Sequence, residues 1–130
     1  MTEQYETVSS TVSTHPERKP DKFNKWGKPI GLLEWARLLE YNDYARVALN
    51  RIGRFKISTV WIGLDHSFGT GSKPLIFESM VFDMKDLKEF NGKTFPESIE
   101  QRRYSTFIQA LLGHYKLVIT YIAKYIKNKL

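Results

Sequence analysis

Between Ala45 and Asp83 three runs rich in Val, Ile and Phe follow one another, and only short turns separate them. ARVALNRI passes through Gly53 into RFKISTVWIGLD, and the glycine-rich SFGTGS leads on to PLIFESMVFD. Strands joined this closely pair antiparallel, because a parallel crossover needs a dozen or more residues. The segment therefore predicts a meander and excludes a doubly wound α/β fold. Both residue parities of the second run are mainly apolar, which predicts a central strand covered on both faces.

Flanking segments complete the outline. Leu32, Trp35, Ala36, Leu38 and Leu39 recur at helical spacing and predict a short helix over residues 32–40. DKFNKWGKPI has the Asn, Gly and Pro of a turn, and Phe23 and Trp26 are placed to dock it as a strap or lid. MKDLKEFNGKTFPES reads as a brief helical turn and then an irregular loop, punctuated by Asn91-Gly92 and Pro96, with EQRRY as a possible fourth, edge strand. Ser105 or Thr106 caps a last helix, running to about Asn128, with Phe107, Leu111, His114, Val118, Tyr121 and Tyr125 on one broad face. No internal repeat or heptad series is read in the chain. The expectation is an α+β domain over residues 23–130: a three- to four-stranded antiparallel meander covered by a long C-terminal helix, with a short N-terminal helix. Residues 1–22, aperiodic and rich in Ser, Thr, Pro, Glu and Lys, are expected to form a flexible arm that includes His15.

Composition narrows the chemistry. The 130 residues hold no cysteine, which removes disulfides, thiolate nucleophiles and Cys-based zinc sites. The N-terminus lacks a secretory pattern, and no stretch reaches the roughly 20 apolar residues of a membrane span. A cytoplasmic protein without a membrane partner is expected. A net charge of +6 favours an anionic partner, although lysines in KYIKNKL also complement a helix C-terminus.

Candidate chemistry gathers near the hairpin mouth. Asp65 and His66 stand where the second strand leaves the sheet, and Glu78 returns on the next strand among apolar neighbours. SFGTGS offers backbone N–H groups to a phosphate, but lacks the Gly-Lys-Ser/Thr ending of a P-loop. His114, after Gly113, lies on the helical stripe expected to face the sheet. His66 and His114, with Glu78 or Asp65, have the inventory for acid–base cleavage of a phosphodiester, and Lys73, Arg102 and Arg103 for neutralising phosphorane charge. The same inventory suits binding without reaction: Trp61, Phe68 or Tyr104 stacking a base, an arginine on phosphate, and Glu78 or Asp65 on ribose hydroxyls. Metal ligation ranks below both, since no HxH, HxxxH or HExxH spacing occurs, and no cofactor is expected.

PIGLLEWARLLEYNDYARVALNRI, STVWIGLDHSFGTGSKPLIFESMVF and RYSTFIQALLGHY resemble three blocks of a small protein family recurrent in bacteriophage and prophage-bearing bacterial genomes. The resemblance spans roughly residues 28–115. It rests on Asp65, His66, Glu78, Arg103, Tyr104, Gly113 and His114, and departs at Lys73 and Ser79, where the family pattern has Pro and Thr. It implies a phage accessory role in the host cytoplasm and a single polar site, without fixing a reaction. Phage accessory proteins of this size commonly counter host defences. The leading expectation is thus metal-independent cleavage of a cyclic nucleotide immune signal. Its alternatives are an oligomeric sponge that sequesters a cyclic dinucleotide or ADP-ribose-type signal, with a pocket shared between chains, and an inhibitor that binds a host defence protein or nucleic acid.

Overall fold

The computed structural model describes residues 19–67 and 73–129. Two helices, α1 (Leu32–Leu39) and α2 (Asn42–Ala45), precede four strands: β1 (Arg46–Ile52), β2 (Phe55–Trp61), β3 (Phe77–Phe90) and β4 (Lys93–Tyr104). A long helix, α3 (Phe107–Lys129), closes the chain. The strands form one antiparallel sheet in the order β1-β2-β3-β4, an α+β meander with no crossover.

The longest departure from expectation lies between Met84 and Ser98. Instead of a helical turn and a loop, β3 and β4 continue there as a hairpin, running past the last β2–β3 pair at Phe55↔Asp83. Asn91 and Gly92 both take positive φ, 52° and 77°, as a two-residue turn matched to strand twist requires. Pro96 is accommodated because β4 is an edge strand, where a missing N–H breaks no second ladder. The Lys, Asp and Glu residues that looked helical stand exposed on this extension.

Only one face of β2 is deeply covered. Ile57, Thr59 and Trp61 are buried, whereas Lys56, Ser58 and Val60 are half-buried, so β2 is central by pairing and not by burial on both sides. On the covered face, Ile57 and Val81 pack with Leu117 and Tyr121 of α3. Trp61, Ile76 and Phe77 pack with Ala110, Phe23 and Ile30. Phe23 docks the strap as expected, with its backbone N–H on the Gly63 carbonyl at 2.8 Å; Trp26 stays 69% exposed, its ring 5.5 Å from that of Phe107. Asp21 and Lys22 are already tied to the domain: the Asp21 carbonyl accepts from the Asp65 N–H, and Lys22 bridges to Leu64. Residues 1–18 of the expected arm lie outside the described residues.

Candidate functional site

The start of α3 sets the position of every side chain it carries. The Thr106 hydroxyl accepts from the Gln109 N–H at 3.1 Å, while the Gln109 side-chain oxygen accepts from the N–H groups of Ser105 and Thr106. This reciprocal cap fixes the helix start and turns Ala110, His114, Leu117 and Tyr121 onto the sheet.

His114 is wholly buried, and both of its ring nitrogens are engaged. Nε2 lies 2.8 Å from Asn50 Oδ1 and Nδ1 lies 2.7 Å from Thr59 Oγ1, which is hydrogen-bonded in turn to Ser79 Oγ. Burial disfavours the charged ring, and with the neutral ring and Asn50 Oδ1 turned to Nε2 one arrangement satisfies the whole chain. Nε2–H donates to Asn50, Nδ1 accepts from the Thr59 hydroxyl, and Thr59 accepts from Ser79. That arrangement needs a neutral imidazole, and burial pushes the His114 pKa below its ordinary value. The ring, expected as an acid–base group, has no solvent contact and both nitrogens engaged, and it stands in the packing of α3 on the sheet.

The other expected members do not converge on it. Ser79 faces α3, so its neighbour Glu78 points to the opposite sheet face, where its Oε2 receives Arg103 Nε and Nη2 at 3.2 Å. Asp65 braces the loop that follows β2. It accepts from the Ser67 N–H at 2.8 Å, the Ser67 hydroxyl at 2.9 Å and the Leu75 N–H at 3.0 Å. Burial alone would raise its carboxyl, but these hydrogen bonds outweigh burial and hold the pKa below the usual value. His66 sits on the same loop, its N–H on the Leu75 carbonyl and its Nδ1 2.8 Å from the Leu64 carbonyl. Trp61 is a core residue, 1% exposed, with its indole N–H on the Phe23 carbonyl, and has no face left for a base. Lys73 is exposed, and Phe68 lies outside the described residues.

Tyr104 is placed differently, at a groove between the end of β4 and the first half of α3. A Cβ at residue 113 would stand 2.3 Å from the Tyr104 hydroxyl, so Gly113 is what lets this ring lie against the helix backbone. The groove encloses about 720 Å³, with Arg102, Tyr104, Ser105, Gln109, Lys116 and Thr120 on its polar walls and Leu75, Leu112 and Leu117 on its apolar one. Arg102 is steadied by an ion pair with Glu100, whose other oxygen accepts from the Tyr121 hydroxyl at 2.9 Å. Burial and that carboxylate push the Tyr121 pKa up to about 12. Lys116 is exposed and has no ion-pair partner among the described residues.

Lys116 and Thr120 were not among the residues singled out in the sequence, nor were Asn50 and Thr59, and Ser79 entered only as a departure from the resembled pattern. The signal for Thr59 and Ser79 was their parity with Ile57, Trp61, Phe77 and Val81: a hydroxyl in an apolar row needs a polar partner. Among the described residues no group of three or more His, Asp or Glu could hold a metal ion, and no helix is long and apolar enough to cross a membrane. The chain matches no family model, no curated protein and no solved structure.

Proposed function

We propose that the protein binds and sequesters a small phosphate-bearing nucleotide in the groove between β4 and α3, without chemical conversion. The carrying observation is the division of polar groups on α3: the imidazole needed for cleavage is sealed and saturated, while Lys116 faces an open groove with Arg102, Tyr104 and two hydroxyls. Arginine and lysine supply phosphate contacts, Tyr104 an aromatic edge or face, and Ser105, Gln109 and Thr120 hydrogen bonds to sugar or base. The net charge of +6 favours an anionic ligand. The resemblance to a phage-borne family supports the setting: capture of a nucleotide immune signal in the host cytoplasm, an anti-defence role. On this reading no metal or cofactor takes part.

The test is incubation with cyclic dinucleotides and cyclic ADP-ribose isomers, followed by heating and chromatography of free and released nucleotide. Unaltered nucleotide returned on heating is the expected result. Altered nucleotide would restore the phosphodiesterase reading, with His66 as its remaining histidine. Absence of binding would overturn both and leave an inhibitor of a host protein or nucleic acid.

A further inference from the structure

On the outward side of α3, Ile108, Leu112, Tyr115, Ile119, Ile122 and Ile126 are each between 41% and 68% exposed. Their spacing alternates four and three residues without a break, the seam of a helix that packs against another helix. In the sequence this series is masked by the inward residues Leu111, Leu117, Val118 and Tyr121, which make the helix look apolar on most sides. Only the exposures separate the two faces. At roughly 100 Å² of exposed apolar area per side chain the strip presents about 600 Å², as large as the largest patches on soluble monomers.

We propose that this strip is the interface between two copies of the chain, with their α3 helices packed antiparallel. Three observations select a second copy as the occupant. The first is spacing: a four-three-four-three-four series reads the same in both directions, so a two-fold axis near Leu117 sets Ile108 against the partner's Ile126, Leu112 against the partner's Ile122 and Tyr115 against the partner's Ile119. The second is area. With Trp26, 69% exposed beside the same helix end, two copies bury on the order of 1,300 Å², within the range of stable specific interfaces. The third is shape: a hollow of about 260 Å³ lined by Trp26, Thr106, Phe107 and Ile108 lies at the N-terminal end of the seam, where the partner's Ile126 arrives.

Charge chooses the orientation. No Asp or Glu occurs in α3, and Lys124, Lys127 and Lys129 cluster at its C-terminal end, Lys129 taking the next seam position and ending the series. Parallel packing would set these lysines beside their own copies, whereas antiparallel packing separates them by the length of the seam and also opposes the helix dipoles. The proposal does not depend on what the groove binds.

Sedimentation equilibrium of the full chain should give a dimer. Ile119→Glu should weaken association at least a hundredfold while leaving the helical circular dichroism unchanged and lowering the melting temperature only by the concentration-dependent share that association supplies. Because the native chain has no cysteine, single replacements report orientation. Ile108→Cys mixed with Ile126→Cys should give a cross-linked pair, while each alone should not, since the two positions are about 27 Å apart along the helix. A wild-type monomer at roughly 100 µM, well above the Kd of ordinary stable interfaces, would overturn the proposal, as would an undiminished Ile119→Glu dimer or self-cross-linking of Ile108→Cys. A monomer that pellets with phosphatidylserine vesicles would replace it with a lipid surface.

Discussion

His114 and Lys116 stand two residues apart on the same helix and have opposite fates. The imidazole is enclosed, with partners on both nitrogens; the ammonium is exposed on a groove without an ion-pair partner among the described residues. Two positions along an α-helix amount to about 200° of rotation, enough to carry a side chain from the sheet-facing side to the open one. A polar residue in a helix that crosses a sheet is thus assigned to stability or to binding by its angular position before its chemistry is considered.

The largest test of this contrast is His114→Ala. It removes a buried ring and leaves Asn50 and Thr59 each short of a partner, so the folded state should lose about 2–4 kcal/mol in chemical denaturation. Nucleotide affinity of the fraction still folded should be little changed. Loss of binding at unchanged stability would reverse the assignment.

Gly113→Ala comes next. Its new methyl meets the Tyr104 ring, which must move, at a cost of about 1–3 kcal/mol and with weakened nucleotide binding. Combining it with Tyr104→Ala should relieve most of the stability loss, and additive losses in that double-mutant cycle would refute the contact.

Acidity probes His114 without a change of shape. The folded state holds its ring neutral, while the unfolded chain takes up a proton below about pH 6.5. Stability should therefore be full above that pH and fall as pH drops towards the lowered folded value, by at most about 1.4 kcal/mol per pH unit. Asp65 and Glu100, also held low, contribute losses only near and below about pH 4. Urea titrations between pH 7 and 5 check this: the slope should vanish when His114 is replaced by Gln.

The smallest stability effect belongs to Lys116→Ala, within about 0.5 kcal/mol of wild type. Its nucleotide affinity should nevertheless drop about tenfold, measured by calorimetry with whichever cyclic nucleotide the wild type retains. An unchanged affinity would place the ligand elsewhere.

Most of the fold was legible in the chain. Three apolar runs with short turns dictated the meander, and Ser105 or Thr106 marked where α3 begins, Thr106 being the one that caps it. The β3–β4 extension was not, because β2 ends its pairing at Asp83 and residues 85–90 of β3 are exposed, so no apolar alternation is needed to reveal it. The Asn91-Gly92 pair was the signal that outweighed the helix-forming Lys, Asp and Glu around it.

For the site, local pattern found the polar residues but not their grouping. Strand parity already set Glu78 and Ser79 on opposite faces, and this argued against a shared pocket for Glu78 and His114. The groove was illegible for another reason: it exists only where a helix from one end of the domain meets the last strand, and no short stretch encodes that meeting. Tyr104 entered from the sequence as a base-stacking ring and Arg102 only as one of three cations for phosphorane charge, while Arg103, expected at the ligand, pairs with Glu78 and Lys116 becomes visible only when α3 is in place.

The Asn50–His114–Thr59–Ser79 chain also acts as an angular stop. Turning α3 by one residue, about 100°, would strand the buried His114 and Thr59 and the half-buried Asn50 at once, so the chain favours one azimuth of the helix on the sheet. The same stop aims Lys116 at the groove and Ile119 outward, so a single hydrogen-bonded wedge beneath the helix indexes two surfaces that it never touches.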